Sequence, residues 1–277
     1  MLLAAIALQA SVAAPIFAPP IDAPLRIVTE RTEIASDQRH YRLERLVRFS
    51  KEGLGYRAEA LILGSASEAP QVLGNLVERG LSALAGRTIV LHLDSNGRVV
   101  AIDAIADLWE RVCQRVSDAA ATRQSLAPGE ARTLAERIAA PLRALPPERQ
   151  RALLATLVAA AILPEPLDPP GTVAPVELPG ASPFGTPVTL RGTRSTAADN
   201  GLIRTTTLAS AAMDLPARSD APAASGSVAL ERIRTSNPRT GLIASGLDTT
   251  RNRVGGRETL LVTRLRVERA NPADWPD

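Results

Sequence analysis

The stretch Arg39–Leu63, RHYRLERLVRFSKEGLGYRAEALIL, decides the fold. On both sides of its glycines, apolar and charged residues alternate, the period-two pattern of strands with one dry and one wet face. Tyr41, Leu43, Val47 and Phe49 share one face, and Tyr56, Ala58, Ala60 and Ile62 continue it beyond the turn. The segment therefore reads as two antiparallel strands, with Leu25–Glu33 as a third. A tight turn at Ser50-Lys51 would set Arg42 opposite Glu59 and Glu44 opposite Arg57. Such cross-strand pairs, about 0.2–1 kcal/mol each, explain the arginine-laden face without a ligand.

Outward from this meander, Pro70–Ala85 carries apolar residues at helical spacing (Val72, Leu73, Leu76, Val77, Leu81, Leu84). Two strands then flank Asn96-Gly97, a two-residue hairpin signal because that turn needs positive φ. From Ile105 the period becomes helical. One helix carries Leu108, Trp109, Val112, Cys113 and Val116 on a single stripe, and a second runs from Pro128 to about Leu145 with Pro141 inside it. A third begins near Pro147 and ends before Pro164. Its segment ALLATLVAAAIL (Ala152–Leu163) is apolar all round apart from Thr156 and reads as a buried helix, too short to cross a bilayer.

Pro164–Pro187 reads as an extended, proline-rich linker with little regular structure. Strand periodicity then returns in Val188–Arg194, Leu202–Ala209, Val228–Thr235, Leu242–Ser245 and Glu258–Glu268, interrupted by a loop at Ala211–Gly226. The organisation is a β block (24–103), a helical block (104–163), the linker (164–187) and a second β block (188–269), read as one domain over 14–277. The class is α+β, a mainly antiparallel, half-barrel-like sheet partly enclosing the helices. Each β block alone offers few strands, so both are expected to share the core that the helices supply.

Composition narrows the function. The chain has 277 residues, ordinary hydrophobic content and few aromatics, so its core must rest on Leu, Ile, Val and Ala. Its net charge of +3 is carried by arginines interspersed with glutamates, and Lys51 is the lone lysine. Positive charge spread in this way, rather than gathered on one stripe, argues against nucleic-acid binding. The N-terminal MLLAAIALQASVAAPIFAPP has an apolar run and a small-x-small site at Ser11-Val12-Ala13, the pattern of a signal peptide over residues 1–13. A periplasmic or secreted bacterial protein is expected, with no transmembrane helix in the mature chain. A single cysteine, Cys113, allows no intrachain disulfide.

Catalytic and cofactor motifs are missing. There is no nucleophile elbow, phosphate loop or dinucleotide fingerprint, and neither His40 nor His92 has a partner at metal-ligand spacing. Cys113 lies on an apolar helix stripe and reads as a buried, inert thiol. Asp107 and Arg111 form an ordinary i, i+4 helix pair. No cofactor, no metal and no enzyme activity are expected.

Strands, then helices, then strands behind an export signal: this order resembles the bacterial lipoprotein carriers of the LolA and LolB type and the mycobacterial lipid-carrier lipoproteins. The resemblance implies a non-catalytic envelope protein with an apolar cleft for a lipid or acyl chain. It rests on element order, so no binding residue is carried over by motif. From the apolar faces themselves, Leu153, Leu157, Val158 and Ile162 of the third helix and Tyr41 and Tyr56 of the sheet are the candidate ligand-binding residues. The alternative is a structural or protein-interaction module of the envelope whose helices fill the concavity completely.

Overall fold

The computed structural model describes residues 17–67, 80–121, 128–215 and 224–276. Among the described residues strand outweighs helix, 54% against 21%, and the class is α+β with a mainly antiparallel sheet. Strands β1 (Leu25–Ile34), β2 (Gln38–Glu52), β3 (Gly55–Ser67), β4 (Thr88–Leu93) and β5 (Val99–Ile102) form one meander. A second comprises β6 (Val173–Ala181), β7 (Pro187–Asp199), β8 (Leu202–Leu215), β9 (Ala224–Asn237), β10 (Leu242–Val254) and β11 (Arg257–Arg269). The two join in a single sheet of order β5-β4-β3-β2-β1-β11-β10-β9-β8-β7-β6, not closed into a barrel. Their seam is the β1–β11 pair, in register from Leu25↔Arg269 to Ile34↔Leu260.

Among the described residues three helices separate the meanders: α1 (Ile105–Ala121), α2 (Pro128–Arg143) and α3 (Pro147–Ala159). Strands β5 and β6 are opposite edges of the sheet, so the connection between them has to traverse its full width. It does so over one face, the inner face. Cross-strand partners point to the same side of a sheet, so the registers define that face. It carries Leu25 and Ile27, then Leu43, Val47 and Phe49, then Ala58, Ala60 and Ile62, then Ile89, Leu91 and Leu93. All are buried, in one cluster with Leu108, Trp109, Val112, Leu154, Leu157 and Val158 of the helices. Beyond the seam, Leu265 and Val267 pack against the same cluster. Further along, Leu190, Ala209, Val228 and Leu230 form a second, smaller cluster on that face. The β6–β7 loop helps cover it, for the Phe184 ring lies close against Gly226 at the start of β9.

Several expectations about local structure are corrected. The β2–β3 turn is Gly53-Leu54, with Gly53 at φ +54°, and Glu52 pairs with Gly55. Glycine at the first central position accepts the positive φ that a two-residue hairpin loop requires, which Ser50-Lys51 does not. Glu59 therefore meets Arg48 rather than Arg42, and because the displacement is even every side chain keeps its face. At the β4–β5 hairpin the loop is longer than two residues: Leu93 pairs with Val99, Gly97 N–H donates to Asp94 O (3.0 Å), and of Asn96 and Gly97 only the glycine has positive φ. Asp94 Oδ1 accepts the N–H groups of Asn96 and Arg98, which favours this wider turn.

Helix α3 ends at Ala159, and the next residues become extended: Ile162 bridges Leu242, and Ile243 N–H donates to Ala161 O (2.8 Å). Nor is the helix buried all round, since Ala152, Thr156 and Ala159 are exposed. Its small alanines let one side face water while Leu154, Leu157 and Val158 are enclosed. The linker contains a regular strand, β6, despite Pro175 and Pro179. As the outermost strand it needs partners on one side only, so a proline lacking an N–H is tolerated there. Most of the helix expected at Pro70–Ala85 and the signal peptide over residues 1–13 lie outside the described residues. Among the described residues no helix is long and apolar enough to cross a membrane.

Candidate functional site

The six candidate ligand-binding residues come together. Tyr41 of β2 and Tyr56 of β3 lie on the inner face, and Leu157, Val158 and Ile162 pack with them in the main cluster, with half-buried Leu153 against it. Leu157 and Val158 are fully enclosed, Tyr56 OH donates to Phe17 O (2.8 Å), and the Phe17 ring meets Tyr56 and Phe49 edge-on at 5.0 and 5.7 Å. None of the six lines any of the three cavities described next.

Arg45 stands in the middle of this apolar face. It follows Leu43 at period two and is 1% exposed. Its Nε donates to Leu157 O in the last turn of α3, and its NH1 donates to Thr29 Oγ1 (3.1 Å). Burial lowers its pKa to about 10, so it remains a cation at neutral pH. An arginine within an apolar stripe was visible in the sequence; its partner, far along the chain, was not.

The outer face of β2 is the arginine-laden one, and its charges are paired. Arg42 meets Glu30 (2.6 Å) and Glu44 (3.0 Å), Arg48 meets Glu59 (2.7 Å), and Arg57 also meets Glu59 (3.0 Å). An open groove of about 480 Å³ runs over this face between Arg26, Val28, Glu30 and Arg42 on one side and Ile233, Leu247, Arg264 and Arg266 on the other. A second, of about 360 Å³, lies beside Arg191, Leu208, Glu231 and Arg251. The ion pairs make this a solvated sheet face, as the alternation predicts.

The inner face of the second meander holds a different arrangement. After α3 the chain lies across these strands as a strap, pinned at one end by Leu163 N–H to Gly241 O (3.0 Å) and at the other by Gly171 N–H to Thr196 O (2.7 Å). Beneath it is a cavity of about 100 Å³ lined by the strap, Val176, Leu178, Thr205, Thr207 and three arginines, Arg194, Arg232 and Arg234. Arg194 donates to Asp168 (3.1 Å) and Glu165 (3.2 Å) of the strap. Arg232 and Arg234 share Asp248 of β10, at 2.9 and 3.4 Å. Burial, and then the neighbouring Arg232, lower the Arg234 pKa against the opposing pull of Asp248. Nothing in the sequence reading singled out these residues, although Arg232 and Arg234 fall two apart, in phase with Leu230.

His92 bridges Glu52 (Nδ1, 2.6 Å) and Asp103 (Nε2, 2.9 Å) on the outer face, and these hydrogen bonds, Glu52 first, raise its pKa. Cys113 is buried, and desolvation raises its pKa, which makes it a poor nucleophile. Among the described residues, no group of three or more His, Cys, Asp or Glu is placed to hold a metal ion. Compared with known protein families and with curated proteins, the chain matches none.

Proposed function

We propose that this is an exported, non-catalytic protein of the bacterial envelope that holds an apolar ligand, a lipid or acyl chain, against the inner face of its open sheet. The observation that carries the reading is the uneven cover of that face. The described helices pack on the first meander, while on the inner face of the second Leu178, Leu261 and Leu265 are only half-buried, beside the enclosed Leu190, Val228 and Leu230. An open sheet with an aliphatic inner surface and helices over one half is suited to an elongated apolar guest. In this reading the packed cluster around Leu157, Val158, Ile162, Tyr41 and Tyr56 is a rigid wall, with Leu153 at its margin, and the guest extends over β9–β11.

The second reading, a protein-interaction module without a ligand, is favoured by the full burial of Leu157 and Val158. Native mass spectrometry of protein purified from its own host's envelope separates the two. The carrier reading expects an adduct that organic extraction removes, together with saturable binding of a fluorescent acyl-chain probe by the stripped protein. A bare chain mass and no probe binding would leave the interaction module.

A further inference from the structure

The strap is the chain's own acidic segment laid over arginines. On the inner face Arg194 of β7, Thr207 of β8 and Arg232 of β9 stand in one transverse row, with Arg234 two residues further along β9. At the usual strand spacing the outer members of that row have Cα atoms about 10 Å apart, a span over which two long guanidinium side chains can close on one small anion. The cavity of about 100 Å³ beneath the strap is where they converge. That is several times the ~30 Å³ that one water occupies in the liquid, room for a single phosphate or carboxylate group.

The charge distribution says what holds the strap down. Asp248 serves both Arg232 and Arg234, and Arg194 is neutralised by Asp168 and Glu165 of the strap. With the strap lifted, this part of the sheet would set three cations against one carboxylate. The strap's hold on Arg194 is weak, because Glu165 is 67% and Asp168 30% exposed. Four prolines at 164, 166, 169 and 170 deny that segment the N–H groups that could bond it to the sheet. Nearby on the same face, in register with Thr205, Thr196 is 3% exposed and its Oγ1 has no hydrogen-bond partner among the described residues.

The geometry points to an oxyanion site on Arg194, Arg232 and Arg234, occupied by the strap carboxylates at rest and taken over by a phosphate or carboxylate group that displaces them. Bidentate guanidinium contacts suit both anions. Half-buried Leu178 lines the cavity and packs against the enclosed aliphatic cluster of Leu190, Val228 and Leu230, so a chain attached to the anion would meet apolar surface at Leu178. That last step rests on the carrier reading; the anion site does not.

Calorimetric titration tests it with two probes, sodium phosphate and dodecyl phosphate below its micelle concentration. Sodium chloride at matched ionic strength and dodecyl maltoside serve as controls. Neutralising the strap with E165Q/D168N should tighten binding of at least one phosphate probe about tenfold, the effect of removing two partly exposed competing pairs. R194Q should weaken it about tenfold. The double variant keeps the test valid if R194Q fails to fold. Binding of inorganic phosphate with this variant pattern supports a free-anion site, and binding of dodecyl phosphate alone supports an amphiphile's head group. An E165Q/D168N protein that binds no tighter than the parent overturns displacement by the anion. Binding of dodecyl maltoside with no binding of either phosphate overturns the oxyanion site while leaving the carrier reading in place.

Discussion

Arg45 keeps its charge inside the core because of what it touches. The carbonyls of a helix's last turn lack intrahelical donors and carry partial negative charge, and Leu157 O in that turn accepts from the Arg45 Nε. Replacing Arg45 with Met preserves volume but strips Leu157 O and Thr29 Oγ1 of their donor. Urea denaturation should show a loss of about 1–3 kcal/mol, and a larger loss for Arg45→Ala, which adds a cavity. An Arg45→Met protein more stable than the parent would mean that desolvating the guanidinium costs more than its bonds return. His92 makes a pH-dependent contribution of known sign. Its pKa is raised in the folded chain by Glu52 and Asp103, so the added stability is present below the ordinary histidine range and is lost as pH rises through the elevated value. Thermal unfolding scanned from about pH 5.5 to 9 should show the parent falling towards His92→Gln as pH rises, by under about 1 kcal/mol for so exposed a bridge. Both residues were visible in the sequence, Arg45 within an apolar stripe and His92 amid a strand. Their partners come from other elements, so neither role could be read locally.

At the scale of elements, periodicity located what packing enforces and missed what pairing alone sustains. The stripe Leu108, Trp109, Val112, Cys113 and Val116 is the buried side of α1, and the alternation around Phe49 is the inner face of β2. Strands β7 to β11 run longer than their apolar cores because hydrogen-bonded neighbours extend threonine- and arginine-rich ends with no hydrophobic signal. Strand β6 was hidden by its prolines, and the end of α3 by alanine, which favours helix while Ile162 is drawn into a bridge with Leu242. Helix α3 contributes through three enclosed side chains, Leu154, Leu157 and Val158. Leu157→Ala should cost about 2–5 kcal/mol in chemical denaturation, as expected for a residue with no exposed surface. A loss below about 1 kcal/mol would show that the wall around Leu157 yields, and would move the guest's place toward it.

The whole molecule depends on a seam that no local pattern announces. The sequence separates the two β blocks by the helical block and a proline-rich stretch, yet β1 and β11 pair over the full length of β1. Cutting the chain after Leu163 would turn β1 into an open edge of ten residues and remove Leu242, Leu265 and Val267 from the main cluster. It would also take the Gly241 carbonyl from Leu163 and the bridge from Ile162. A long unpaired edge flanked by newly exposed aliphatic surface is a template for association. The fragment Ala14–Leu163 should therefore elute as large species in light-scattering chromatography and lack a cooperative unfolding transition. Co-expression with the 164–277 fragment should restore solubility by re-forming the seam, because each half presents the edge that the other lacks. A monomeric Ala14–Leu163 fragment with sharp unfolding of its own would locate the stability of the first meander in its helices, and leave the β1–β11 pairing as a docking of two independent units.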